Sequence, residues 1–315
     1  MIASANGLAH ITLTPGCKDA TLTVTVVICT RNRPANLREC LCAVGRLDPL
    51  PDQVLVVDNT AGDDETARVS REFGVRYIRE PLPGLSRARN RGLAECDTEI
   101  AAFLDDDAIP AADWLGILMA PFGEATTGAS TGKVVTPETN QKNLPPENPR
   151  ILSNEQTRWF EIATFGGMGL GSNIAIRKQA CTGAKLFEER LGRGAPFQIG
   201  EETYALARLL AGGYRVSYLP SARVYHPPLT RDTIENEARN SIAYWLLLFS
   251  EFPAQRLNLV RFLLRRLRRK PLDWSRDPQE PGEIVTSGWR VLIKAGLQGL
   301  WLFLRTPRNL NSANR

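Results

Sequence analysis

Three short apolar runs, each ending in polar residues, constrain the fold of this chain more than any other feature. Residues 23–29 are mostly β-branched and stop at Thr30, and residues 53–57 stop at Asp58. The third run, residues 101–104, ends in three consecutive aspartates. Continuous apolar runs of this length are typical of strands that are buried on both faces of a parallel sheet.

Helix-like segments separate these runs, at about residues 34–46, 63–73 and 85–96. Alternating β and α elements at this spacing predict an α/β fold with an open, doubly wound, mostly parallel sheet. In such sheets, ligands bind at the carboxyl ends of the strands. We therefore expect Thr30, Asp58 and the three aspartates to meet in one crevice, where they would form a nucleotide site.

The aspartate triplet, Asp105, Asp106 and Asp107, indicates a bound cation. Adjacent carboxylates repel one another, so clustering them is favourable only when a cation lies among them. Hard oxygen ligands at a strand end suit Mg²⁺ or Mn²⁺, which are usually shared with substrate phosphates. The alternative interpretation is a solvated acidic turn without a ligand.

Two common phosphate-binding motifs are absent from the sequence. A dinucleotide site needs G-x-G-x-x-G directly after the first strand, but residues 30–34 contain no glycine. The glycine cluster at residues 166–171 lies far downstream and has a different spacing. No G-x-x-x-x-G-K-[ST] segment occurs, which excludes a P-loop at the level of motif.

Seven segments resemble, in the same order, the motifs of a family 2 glycosyltransferase with the GT-A fold. The resemblance covers about residues 22–230. It implies a GT-A type sheet, a smaller mixed sheet on the acceptor side, and C-terminal helices. The matching segments are residues 27–33, 56–59, 83–92, 103–107, 171–177, 200–203 and 224–226.

By this resemblance the chain is a metal-dependent inverting glycosyltransferase, of the hexosyltransferase type. The donor would be a nucleoside-diphosphate sugar, with UDP the expected nucleotide and Mg²⁺ or Mn²⁺ the cofactor. The acceptor would be a saccharide, a lipid-linked or a small-molecule hydroxyl compound, as in polysaccharide, glycolipid or glycosylated-metabolite synthesis, and not a nucleic acid. The alternative is a non-catalytic sugar-nucleotide-binding or scaffold subunit with the same fold. The intact aspartate triplet, the acidic pair at residues 201–202 and His226 favour the enzyme.

The resemblance also implies roles for the polar residues around the metal. Asp107 is the expected metal ligand, and His226 completes the metal shell or contacts the diphosphate. Either Asp105 or Asp106 faces the ribose, and the sequence leaves open which of the two does so.

The remaining donor contacts follow from three of the matching segments. Asp58 is expected to bind the base or the ribose, with Thr30 and Arg31 beside it at the end of the first strand. Arg89 and Asn90 project from the 83–92 segment and are expected to approach the nucleotide.

Attack by a sugar hydroxyl near neutral pH requires a positioned base, because such a hydroxyl is a poor nucleophile. The family usually has Glu-Asp at this point, whereas this chain has Glu201 and Glu202. The match assigns the base to Glu202, with Glu201 as the alternative. Both acids begin a predicted helix, whose positive N-terminus would keep a carboxylate ionised. The opposing interpretation is that they only cap this helix.

We expect a lead-in at residues 1–20, a transferase domain at 21–230 and a basic helical region at 231–315. The transferase domain divides into a nucleotide-binding half at 21–125 and an acceptor half at 126–230. The acceptor half would be built on strands near residues 132–135, 173–177 and 214–219. A surface loop is predicted at 136–150 and a linker at 270–282.

The net charge of +5 is concentrated in the C-terminal region, where residues 231–315 carry 15 Lys/Arg against 8 Asp/Glu. Residues 256–270 combine arginines with leucines at helical spacing, and a last apolar helix is expected at 284–305. A basic amphipathic helix is typical of a membrane surface or a partner-binding face. The alternative is a helix that packs on its own domain.

Six cysteines are scattered along the chain without zinc-finger spacing, and we expect reduced thiols and a cytoplasmic protein. The first residues lack the pattern of a secretory signal. No apolar run approaches the length of a membrane span. Contact through 256–270 and 284–305 would place the enzyme at the inner face of the cell membrane.

Overall fold

The computed structural model describes residues 22–60, 64–137, 148–181, 185–228, 234–268 and 288–308. The predicted lead-in at 1–20, the linker at 270–282 and most of the loop at 136–150 lie outside these residues. The side chains of residues 234–235, 266–268 and 288–293 are also outside them.

The strands of the described residues form a single mixed sheet. The apolar runs seen in the sequence become its central strands, and β1 is buried along its whole length. The strands are β1 Val24–Thr30, β2 Gln53–Asp58, β3 Arg76–Arg79, β4 Ile100–Asp105, β5 Ile109–Pro110, β6 Thr127–Val135, β7 Arg150–Leu152, β8 Asn173–Arg177 and β9 Arg215–Tyr225.

The helices cover both faces of this sheet. The three helix-like segments predicted between the first strands are confirmed, each within two residues at either end. The α-helices are α1 Pro34–Val44, α2 Glu65–Glu72, α3 Leu85–Glu95, α4 Trp114–Met119, α5 Trp159–Phe165, α6 Glu201–Ala211, α7 Ile234–Glu251, α8 Arg256–Arg268 and α9 Gly288–Arg305.

The strand order is β3-β2-β1-β4-β8-β6-β9-β5, and β7 pairs with β9. The first four strands in this order are mutually parallel, as predicted. β8 runs antiparallel to both β4 and β6, and so joins the two halves of the molecule. The mixed strands expected on the acceptor side are therefore present, and they continue the larger sheet instead of forming a separate one.

Two hydrophobic clusters lie on opposite faces of the sheet because successive strand residues point in opposite directions. Val27 and Cys29 of β1 pack with α3, α5, α6 and α7. Val26 and Ile28 pack with α1, α2 and α4. The same alternation brings the polar strand ends to one edge, where neither cluster covers them.

The C-terminal helices pack against the acceptor side. Phe165 of α5 stacks on Phe262 of α8 with ring centroids 4.3 Å apart. Arg190 forms an ion pair with Glu251 at the end of α7, at 3.0 Å. In the part of the chain that the structure describes, no helix is both long enough and apolar enough to cross a bilayer.

Candidate active site

The polar ends of the three central strands meet at one edge of the sheet. Thr30 is in register with Asp58 on the neighbouring strand, and Cys29 is in register with Asp105 on the other side. This follows from parallel pairing, which places the carboxyl ends of adjacent strands side by side. The structure therefore brings Thr30, Asp58 and the aspartate triplet together.

Asp105, Asp107 and His226 form a compact group of oxygen and nitrogen donors. One ligand atom from each lies within 4.8 Å of the other two. His226 Nε2 is 3.1 Å from Asp107 Oδ1 and 3.9 Å from Asp105 Oδ2. The hydrogen bond between Asp107 and His226 raises the pKa of the imidazole and lowers the pKa of the carboxyl.

His226 is oriented by a second hydrogen bond on the other side of its ring. Its Nδ1 lies 2.7 Å from the carbonyl oxygen of Pro227. A carbonyl only accepts, so Nδ1 carries the proton, and in the neutral ring Nε2 has a free lone pair that faces the two aspartates. This arrangement is typical of a metal-binding histidine. The group therefore fits Mg²⁺ or Mn²⁺, with Asp105 added to the expected ligands.

Asp106 faces away from this group. Thr30 Oγ1 donates to Asp106 Oδ2 at 2.6 Å, and Arg33 Nη1 lies 3.2 Å from Asp106 Oδ1. Burial raises the pKa of Asp106 to about 6, although Thr30 and Arg33 oppose the shift. Arg33 also binds Asp107 Oδ2 at 2.8 Å. Arg33 ends the 27–33 segment, but no role was predicted for it.

Arg31 and Asp58 occupy different environments at the nucleotide end. Arg31 is exposed, and its Nη1 lies 3.5 Å from the position that a Cβ on Gly194 would take. Asp58 is fully buried and accepts hydrogen bonds from Tyr77 Oη at 2.8 Å and from the Thr60 amide at 2.9 Å. Binding of the base or the ribose by Asp58 stays a prediction, as does the contact of Arg31 with the donor.

Arg89 and Asn90 face the interior. Arg89 is 2% exposed, and it binds Glu201 Oε1 at 2.9 Å and Asp105 Oδ1 at 3.3 Å. The Asn90 amide donates to the carbonyl of Phe187 at 2.7 Å and accepts from its N–H at 3.0 Å. Asn90 thus fixes the segment that contains Phe187, a packing role that the sequence did not indicate.

Glu201 and Glu202 begin α6 but differ in their partners. Glu201 is buried and paired with Arg89, whereas Glu202 is partly buried and forms no ion pair within the described residues. Burial raises the pKa of Glu202, and Glu201 raises it further, while Arg89 lowers it. Burial and the neighbouring glutamate therefore oppose the ionising effect expected of the helix N-terminus, and that effect stays a prediction.

A cavity of about 420 Å³ opens beside the metal-binding group formed by Asp105, Asp107 and His226. Asp107 and His226 form part of its wall, together with Asn36, Ile109 and Tyr225. It provides space for part of a ligand next to the metal donors.

A sequence model described as "Glycosyl transferase family 2" matches residues 25–182 of the chain. The pre-mycofactocin glycosyltransferase of Mycobacterium tuberculosis is 27% identical over 226 residues, which are 68% of this chain and 45% of that protein. The chain therefore spans about half the length of this relative. The succinoglycan biosynthesis protein ExoM of Rhizobium meliloti is 26% identical over 220 residues, 66% of this chain and 67% of that protein.

Solved structures with the same fold have low sequence identity. The mannosyltransferase PcManGT of Pyrobaculum calidifontis, in complex with GDP-Man and Mn²⁺, is 16% identical with a TM-score of 0.55. That match covers 90% of this chain and 86% of the other. TarS 1–349 of S. aureus, in complex with UDP-GlcNAc, is 16% identical with a TM-score of 0.56, covering 78% and 73%. The GT-A type fold expected from the sequence is confirmed.

Proposed function

The chain belongs to glycosyl transferase family 2, and we propose that it transfers a hexosyl group from a nucleoside-diphosphate sugar to an acceptor hydroxyl. The reaction would invert the anomeric carbon and depend on a divalent metal. The observation that carries the proposal is the group formed by Asp105, Asp107 and His226 at the sheet edge. Arg89 bridges this group and the glutamate pair, because it pairs with both Asp105 and Glu201.

Asp105, Asp107 and His226 would hold the metal ion. Mg²⁺ or Mn²⁺ bound there would neutralise charge on the departing diphosphate. Arg33 contacts Asp107 Oδ2 and orients this carboxylate. The proposal agrees with the Mn²⁺ and GDP-Man present in the PcManGT complex.

The donor nucleotide would lie over Thr30 and Asp58, with Arg31 close to the diphosphate. The side chain of Arg31 is exposed, so its charge is available to a phosphate. UDP remains the expected nucleotide, and TarS with UDP-GlcNAc supports a uridine donor in this fold. That either Asp105 or Asp106 faces the ribose stays a prediction.

Glu202 would accept the proton of the acceptor hydroxyl. The acceptor oxygen bonds to the anomeric carbon while the bond to the diphosphate oxygen breaks, and the proton passes to the Glu202 carboxylate. A single displacement of this kind inverts the anomeric centre. Glu201 is less suited because its carboxylate is already paired with Arg89.

We further propose that the acceptor is lipid-linked and that the enzyme reaches it through contact with an anionic membrane surface. On α8, Leu257 and Leu264 are 60% and 49% exposed, and on α9, Leu297, Trp301 and Leu304 are 65%, 56% and 71% exposed. The α9 residues lie three and four positions apart, so they share one helix face. Such a face next to basic residues is typical of an interfacial helix. The cytoplasmic location also stays a prediction.

A thermal-shift experiment with UDP, GDP and Mn²⁺ tests the proposal. A ligand at a hundred times its Kd stabilises a folded protein by about 2.7 kcal/mol, which corresponds to roughly 5 °C or more. We expect one nucleoside diphosphate to raise Tm together with Mn²⁺ and much less without it. If neither nucleotide shifts Tm with the metal present, the proposed donor site is wrong.

A further inference from the structure

Arg89 connects the metal-binding group to the glutamate pair. Its Nη1 lies 2.9 Å from Glu201 Oε1, and its Nη2 lies 3.3 Å from Asp105 Oδ1. The side chain is 2% exposed, and its guanidinium lies 5.6 Å from the ring centroid of Phe187. Both Nη atoms are therefore occupied by carboxylates of the protein.

We propose that Arg89 is a positioning residue that holds Glu201 against Asp105 and so leaves Glu202 as the proton acceptor. This assigns Arg89 a different role from the donor contact expected from the sequence. The inference rests on the proposed function, because it concerns the same base and the same metal-binding group.

Two glycines provide the space for this bridge. A Cβ at Gly171 would lie 2.7 Å from Arg89 Nη2 and 2.8 Å from Nη1. A Cβ at Gly192, where φ is +90°, would lie 3.0 Å from the carboxyl carbon of Glu201. A methyl group at either position would displace one partner of the ion pair. Gly171→Ala therefore moves the guanidinium without changing its charge.

The two carboxylates explain why the bridging residue is an arginine. A guanidinium presents several N–H donors in a fixed plane, so it can bind two carboxylates at once. A lysine ammonium is a point charge and would favour one partner. Without a cation, Glu201 and Glu202 would lie side by side with no compensating charge, and the pair would hold its proton to a still higher pH.

Arg87 offers a matched control on the same helix. It is 9% exposed and forms an ion pair with Glu189 at 3.1 Å, and Glu189 belongs to neither the metal-binding group nor the glutamate pair. Arg87→Met therefore removes a buried ion pair of similar geometry. It separates loss of stability from loss of positioning.

The experiment compares Arg89→Lys, Arg89→Met, Gly171→Ala and Arg87→Met in the full chain. It measures Tm, UDP–Mn²⁺ affinity by calorimetry, and turnover as UDP release from UDP-glucose and UDP-GlcNAc. We expect all three changes at the bridge to lower kcat by about a hundredfold, as for a misplaced catalytic group. UDP–Mn²⁺ affinity should stay within about threefold, since only the transition state is affected. Arg87→Met should lower Tm and retain kcat.

A double variant tests whether Arg89 acts through Glu201. Arg89→Met should lower kcat by a smaller factor in a Glu201→Gln background than in the parent, because the effects of substitutions within one network do not add. Equal costs in the two backgrounds would overturn the inference, as would a loss of UDP–Mn²⁺ affinity that accounts for the whole loss of turnover. A parent that releases no UDP from either sugar would instead refute the proposed uridine-donor transferase, and this inference with it.

Discussion

The pH dependence of turnover follows from the environment of Glu202. Burial raises its pKa, the adjacent Glu201 raises it further, and Arg89 reduces the shift without cancelling it. A general base works only when ionised, so kcat should fall as the pH is lowered through this raised pKa. Below the pKa the decrease approaches about tenfold per pH unit, because the ionised fraction changes by that factor.

Replacing Glu202 with glutamine tests this assignment directly. The amide keeps the shape of the side chain but cannot take the proton, so kcat should fall by about a hundredfold or more. That loss corresponds to about 2.7 kcal/mol of activation free energy. The residual kcat of Glu202→Gln should no longer fall as the pH is lowered, as the kcat of the parent does. UDP release from the donor sugar, measured from about pH 5 to about pH 9, gives both results.

Stability provides an independent readout for the same variant. The folded protein holds a proton on Glu202 at a pH where the unfolded chain has lost it. The free energy of unfolding therefore falls as the pH rises from the ordinary glutamate pKa through the raised one. Glu202→Gln should lack this decrease, so its Tm should change less with pH than that of the parent.

Three results would refute the reasoning about Glu202. The first is a kcat that is independent of pH over the acidic range in the parent. The second is a larger loss of turnover for Glu201→Gln than for Glu202→Gln, which would move the base to Glu201. The third is a similar loss for Glu95→Gln, the control, whose carboxylate pairs with Arg76 at 3.0 Å in a different cluster.

Two further predictions concern the metal-binding group and the C-terminal helices. Asp107→Ala should keep the fold but abolish the Mn²⁺-dependent rise in Tm with UDP. The control Asp97→Ala, at an exposed carboxylate, should retain this rise. Equal rises in Tm for the two variants would refute the metal assignment. The double variant Trp301→Ala and Leu304→Ala should co-sediment less with anionic vesicles at low salt. High salt should weaken vesicle binding by the parent, because salt screens the attraction between surface charges. Ile151→Ala, at a residue that is 60% exposed on β7, is the matched control, and a parent that does not bind such vesicles would contradict membrane contact.

The central sheet and its polar edge could be predicted because the responsible signals are local. Apolar runs that stop at Thr30, Asp58 and Asp105 fix both the strands and the positions of their ends. Parallel pairing then places these ends together without further information. The predicted acceptor strands were found as well, but β6 and β9 are longer than expected because they pair along nearly their whole length.

Side-chain partners across long sequence separations could not be predicted. Arg89 and Glu201 are 112 positions apart, and Arg33 and Asp107 are 74 apart. No periodicity links such residues, and the charge of an arginine on a helix does not show whether it faces solvent or a buried carboxylate. The direction of Asp106 depends on the turn after β4, which gives each of the three aspartates a different environment.

The C-terminal region bears on the catalytic edge through α7, a contact that could not be predicted from the sequence. Tyr244 Oη lies 2.7 Å from Thr203 Oγ1, and a Cβ at Gly200 would lie 2.7 Å from the Tyr244 ring. Gly200 has φ of +85° and immediately precedes α6, so any other residue there would be both strained and obstructed. Tyr244 and Gly200 together determine where α6 begins, and with it the positions of its first two glutamates. The division at residue 230 stays a prediction, yet α7 packs directly against α6. The proposed membrane contact through α9, which packs on α7, is therefore linked to the helix start that carries the proposed base.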